Sequence, residues 1–215
     1  MRLFVILAST LFLAACVTAI PPSRGIQSGN IAYKRGDYVQ AKEVFSSALQ
    51  LATQQNWKPH IATAKYGLGR SLGQLCQFSE AEKYLTEAAS LEREISGGKG
   101  IHLSQDYFEL ARLYYDYGKF DKAVPFFQKA IPLAEELRVA SSDPIGYANV
   151  LEDYAIALSK TGDATQAKAI EKTIATLRQS NPSKSAGFRI VRFNPQCAPN
   201  TAVKRDAPQA ARPLP

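Results

Sequence analysis

The stretch Tyr114-Tyr115-Asp116-Tyr117-Gly118-Lys119-Phe120-Asp121-Lys122-Ala123-Val124-Pro125-Phe126-Phe127 decides the reading of this chain. A glycine behind a run of aromatics ends a helix in a left-handed conformation. Ala123 and Phe127 then start an apolar stripe at helical spacing. The stretch therefore predicts two helices joined by a tight turn and packed on each other through a small residue.

The pattern recurs on both sides. Gly36-Asp37-Tyr38 leads to Ala41, Phe45, Ala48 and Leu49, and Cys76-Gln77-Phe78 leads to Ala81, Leu85 and Ala88. Gly162-Asp163-Ala164 leads to Ala167 and then to a weaker Ile170 and Ile174, with Glu171 where an aromatic would stand. Upstream of each turn lies a matching helix: Gly29 and Ala32, Leu68-Gly69 and Leu72, Leu110-Ala111 and Tyr114, Tyr154-Ala155 and Leu158. The repeat is about 42 residues, longer than the ~34 of the common helical-hairpin repeat. His60-Ile61, His102-Leu103 and Pro144-Ile145 fall at equivalent places, which makes the two histidines helix-start residues rather than catalytic groups.

These residues resemble the tetratricopeptide repeat, in the long variant of about 42 residues found in kinesin light chains. The resemblance covers residues 25–180 and implies an all-α, right-handed superhelix of about four hairpins, near 25–54, 60–95, 102–138 and 144–180. It implies that the first helix of each hairpin lines an inner groove. By register, that groove would carry Asn30, Tyr33, Lys34, Tyr66, Arg70, Gln74, Phe108, Arg112, Tyr115 and Asp116. Asn30, Arg70 and Arg112 share one slot in successive repeats, so the expected partner is a protein or peptide with acidic character, held by arginine and stacked on aromatics. A carboxylate clamp of the chaperone-binding kind is not formed: Ile26, Gly67, Gln105 and Glu109 stand at its other positions, and only Asn30 fits. Pro125 has precedent in the long variant; Pro132 predicts a kink or a loosened helix end.

The N-terminus reads as an address. Arg2 precedes an apolar run from Leu3 to Leu13, then Ala14, Ala15 and Cys16. The run is too short for a membrane span, which needs about 20 residues, and fits a signal peptide over 1–15. Leu13-Ala14-Ala15-Cys16 resembles the lipobox of bacterial lipoproteins, which implies lipid on Cys16 and a lipidated linker over 16–24. Val17 in place of Asp resembles the outer-membrane default. The expectation is a periplasm-facing outer-membrane anchor in a Gram-negative host, and an extracytoplasmic membrane anchor otherwise.

In an exported chain disulfides are permitted. Cys76 and Cys197 either pair, stapling the tail to the second repeat, or remain thiols. The segment 181–215 differs from the body: it holds half of the twelve prolines, and Lys184, Arg189, Arg192, Lys204, Arg205 and Arg212 against Asp206 alone. The expectation is a disordered, basic tail. Phe188-Arg189-Ile190-Val191-Arg192-Phe193 is its one apolar stretch, placed either over the last helix or as a strand added to a partner.

The body is nearly neutral, which argues against nucleic acid as a partner. No phosphate loop, nucleophile elbow or metal-spaced His/Cys cluster occurs, so no enzyme activity, cofactor or metal is expected. The function expected is a membrane-anchored scaffold or assembly factor for a pilus, secretion or outer-membrane complex. The alternative is a regulator that docks an envelope or peptidoglycan enzyme.

Overall fold

The computed structural model describes residues 21–188 and 190–197. The expected signal peptide over 1–15 and lipid attachment at Cys16 lie outside them. α1 (Pro22–Lys34) and α2 (Tyr38–Gln54) form the first hairpin, α3 (Lys58–Gln74) and α4 (Phe78–Ser96) the second, α5 (Ile101–Asp116) and α6 (Phe120–Glu136) the third. A short α7 (Val139–Ser142) leads into the fourth, α8 (Pro144–Lys160) with α9 (Ala164–Gln179). No strand occurs among the described residues. The all-α, tetratricopeptide-like superhelix is therefore the observed fold. α1 starts at Pro22 rather than at 25, because a proline in the first turn has no N–H to leave unpaired.

The turn inside each hairpin is closed the same way. Asp37, Gln77, Lys119 and Asp163 each donate their backbone N–H to the carbonyl of the residue five back, Ala32, Leu72, Tyr114 and Leu158. This geometry needs a left-handed residue at its centre. Gly36, Gly118 and Gly162 supply it; the second hairpin puts Cys76 there, at φ +63°. A non-glycine residue in that region is disfavoured by roughly 1–2 kcal/mol. Asp37 and Asp163 also cap the following helix, accepting from the N–H of Gln40 and Gln166.

Small residues set the spacing between helices. The Phe45 ring of α2 slots between α1 and α3, where a Cβ on Gly29 or Gly67 would stand 2.8 or 2.3 Å from it. Leu85 fills the same role against Gly69. Ala41, Ala81, Ala123 and Ala167 are all buried at the hairpin crossings. In the weaker fourth repeat Ile174 is buried, Ile170 is partly so and Glu171 is exposed, as suits an outer end. α6 runs unbroken through Pro125 and Pro132 to Glu136, so Pro132 does not end the helix. Leu133 and Ala134 beyond it still pack on the core and hold the last turn in place.

Candidate functional site: an inner face that holds the chain's own tail

Among the described residues from Pro182 to Asn194 the tail has no helix or strand, as its composition implied. It is nevertheless seated. From α9 it returns along α8, α5 and α3, the helices of the inner face, and ends at a disulfide between Cys197 and Cys76 with 5.0 Å between Cα atoms. The described residues of the apolar stretch therefore lie along α8 and α5 rather than over the last helix. They lie in the groove that the repeat register assigns to a partner.

The contacts run in order along the chain. Asp143, at the start of α8, accepts the N–H of Gly146 within its own helix and the N–H of Gly187 and Phe188 from the tail, each at 2.9 Å. Burial works against the charged form of Asp143, but these three donors outweigh it and hold its carboxyl below the usual range. Arg192 reaches Asp153 of α8 at 2.5 Å and Asp116 of α5 at 3.4 Å, and lies 5.3 Å from the Tyr115 ring. The other oxygen of Asp116 accepts the N–H of Phe193 at 2.9 Å. Burial raises the Asp116 carboxyl above its ordinary range despite Arg192 and the Phe193 N–H. Gln74 donates to the Arg192 carbonyl at 2.8 Å. The Phe193 side chain is 1% exposed and lies on Gly73, where a Cβ would come within 2.3 Å of the ring. The Arg112 guanidinium stands 5.7 Å from the centre of that ring.

This changes the roles of the predicted groove residues. Gln74, Tyr115 and Asp116 hold the tail. Tyr33 and Tyr66 lie beside Arg70, whose guanidinium is 4.0 Å from the Tyr33 ring and 5.2 Å from that of Tyr66. Arg70 and Arg112 share one carboxylate: both pair with Glu109, which is buried beside them and also lies 3.4 Å from the Tyr66 hydroxyl. Burial disfavours the charge on Arg112, yet Glu109 raises its pKa overall. Phe108 lines a cavity of about 370 Å³ between α5, α8 and the tail, together with Tyr66, Tyr147, Val150, Phe188 and Val191. Asn30 lines a smaller cavity near His102 and Asp106, and Lys34 is exposed at the end of α1.

The register could not show Asp143 and Asp153. Their signal was an acidic residue at two inner positions of one helix, opposite a basic tail. Asp106 is a further buried carboxyl; burial first, then Glu92 and Glu109, raise it to about 8.

The sequence profile of the tetratricopeptide repeat matches residues 25–91 and 60–136. This chain belongs to the tetratricopeptide repeat family. Response regulator aspartate phosphatase J of Bacillus subtilis (strain 168) is 34% identical over 90 residues, 42% of this chain but only 23% of that protein. Among solved structures, BtubC (BKLC) from P. vanneervenii superposes with a TM-score of 0.69 at 20% identity, over 80% of this chain and 69% of that one. A putative kinesin light chain from Podosopora anserina, built of nearly identical TPR-like repeats, gives 0.58 at 16% identity, over 76% and 77%. The MamA RS-1 ArsTM double mutant gives 0.56 at 21%, over 76% and 78%. At these identities the structural likenesses establish the fold alone. Tetratricopeptide-repeat proteins generally mediate protein–protein interactions, and the fold is typically a non-catalytic scaffold.

Proposed function

We propose that this repeat protein is a lipid-anchored binding module of the bacterial envelope. It is attached through Cys16 and holds an extended segment of another envelope protein along its inner face, as an assembly factor for a surface or secretion complex does. The anchor rests on Leu13-Ala14-Ala15-Cys16 in the sequence. The binding reading is carried by one observation: carboxylates of α5 and α8 take main-chain N–H groups of a non-helical segment, which is how a face built for extended peptide holds its occupant. Anchoring also confines the partner search to the membrane surface and raises local concentration.

The first test replaces Phe108, which lines the cavity, with a photo-crosslinking residue in the full chain expressed in its envelope. A second protein carries the crosslinker at Lys168 on the exposed side of α9. One partner captured from the Phe108 position and not from Lys168 supports the reading; the same products from both overturn it. Separately, Cys16→Ser is expected to move the protein out of the membrane fraction. Retention there would sink the lipid anchor.

A further inference from the structure

We infer that residues 187–197 are a built-in ligand of the inner face, and that the partner segment this face accepts shares its chemistry: extended, apolar, then Arg-Phe. The inference deepens the proposed binding function and rests on it.

Three observations carry it. The groove recognises main chain rather than tail-specific shape, through Asp143, Asp116 and Gln74, and any extended segment offers the same groups. Two side-chain seats then select. Arg192 bridges Asp116 and Asp153, and Phe193 occupies the space that Gly73 leaves by having no side chain. Charge points the same way. Asp116, Asp143 and Asp153 face the tail, whereas Arg70 and Arg112 pair with Glu109. A basic residue fits the seat between Asp116 and Asp153.

The tail also leaves room for a competitor. The cavity of about 370 Å³ beside Phe188, Ile190 and Val191 is bounded by Phe108, Tyr147 and Val150. A partner with larger apolar residues at those places would bury more surface than the tail does. What favours the tail is its double tether. It is joined to α9 at one end and to Cys76 at the other, so a free segment must compete with an intramolecular one held at high effective concentration. A dithiol reductant frees the far end and lowers that advantage. Its thiolate attacks one sulfur and expels the other cysteine as a thiolate; its second thiol then attacks the mixed disulfide and releases the first cysteine, so the reductant leaves as a cyclic disulfide while Cys76 and Cys197 become thiols. Cys76 sits in an exposed turn where such an attack has access.

The test uses the full mature chain and a fluorescent peptide of residues 187–194. Three proteins are compared: the oxidised protein, Cys76→Ser with Cys197→Ser, and that pair with Phe193→Ala to weaken the tail's own hold. The expected result is exclusion of the peptide by the oxidised protein, and binding to the triple variant at least about tenfold tighter. A peptide carrying Arg192→Glu should lose at least about tenfold in affinity, because it opposes Asp116 and Asp153. Since Phe193→Ala empties a buried seat, a parallel triple variant with Arg192→Ala keeps the ring in place, and circular dichroism confirms the helices of both. Equal binding by oxidised and open proteins overturns the inference. So does failure of both helical triple variants to bind, or equal binding of the Arg192→Glu peptide. Crosslinking at Phe108 that captures no envelope protein while the peptide still binds leaves the groove chemistry standing and removes the envelope function instead.

Discussion

The repeated body and the tail are held by different physics. Each hairpin of the body is fixed by contacts with its own second helix and the next hairpin, through small residues that let large ones interdigitate. Phe45 between Gly29 and Gly67 is the type case. The tail has no periodic contacts. It is held by carboxylates on its main chain, by one buried ring and by a bond to a residue in a distant turn. The tail takes its position from side chains of the body, and its Phe193 joins the same buried cluster as Phe45 and Leu85.

The largest expected effect breaks the body. Phe45→Ala should cost about 3–5 kcal/mol, because the two glycines cannot close the space it leaves. Chemical denaturation followed by circular dichroism measures it. A loss below about 1 kcal/mol would mean that the hairpins are not held by this interdigitation.

The second breaks the tail and spares the body. Cys76→Ser with Cys197→Ser removes a cross-link between residues 121 apart. The expected cost is about 2–4 kcal/mol, with the native helical spectrum unchanged and trypsin gaining access to Arg192. Loss of helix at the same rate as cleavage would show that tail and body form one cooperative unit.

The body was legible in the sequence because its forces are local and periodic. Ala41, Ala81, Ala123 and Ala167 repeat because every hairpin crossing meets the same steric limit. The inner-facing helices followed from the register, and Cys76 with Cys197 could be suggested but not decided by spacing. The occupant of the groove was not legible. Proline content and charge described residues 181–197 as disordered, and the only helix among those the structure describes is one short 3-10 turn, Pro195–Cys197. What seats them depends on Asp116, Asp143 and Asp153 converging from two helices, which no one-dimensional period encodes. The same holds for Arg70. Arg112 has Glu109 one turn back on its own helix, but only the packing of α3 beside α5 brings Arg70 to the same carboxylate.

Asp106 sharpens the comparison by placing an unfavourable charge inside the body. Its carboxyl is raised to about 8, whereas in an unfolded chain it titrates near 3.9. Between those values the folded protein keeps a proton that the unfolded chain has lost. Stability should therefore fall as pH rises through the window, and level off above about 8. Asp106→Asn never charges and should remove that part of the slope, gaining on the native protein as pH increases. Melting temperatures of the two proteins across the window check this; parallel curves would mean that Asp106 ionises in the folded state as it does in water.

The smallest effect separates the two regions most directly, because two aspartates perform the same local task. Asp163 caps α9 through Gln166, and nothing from the tail meets its side chain in that bond. Asp143 caps α8 through Gly146 and also takes the N–H groups of Gly187 and Phe188. Asp163→Ala should cost about 1 kcal/mol, the ordinary price of a lost cap. Asp143→Ala carries that loss and the release of the tail's first turn besides, so its cost should exceed that of Asp163→Ala in the oxidised protein. Introduced into the Cys76→Ser, Cys197→Ser background, where the far end of the tail is already untethered, Asp143→Ala should also raise proteolysis at Arg192, and Asp163→Ala should not. Equal effects of the two substitutions on both measurements would mean that the carboxylate at Asp143 serves its helix alone, and that the seat of the tail begins further on, at Asp153 and Asp116.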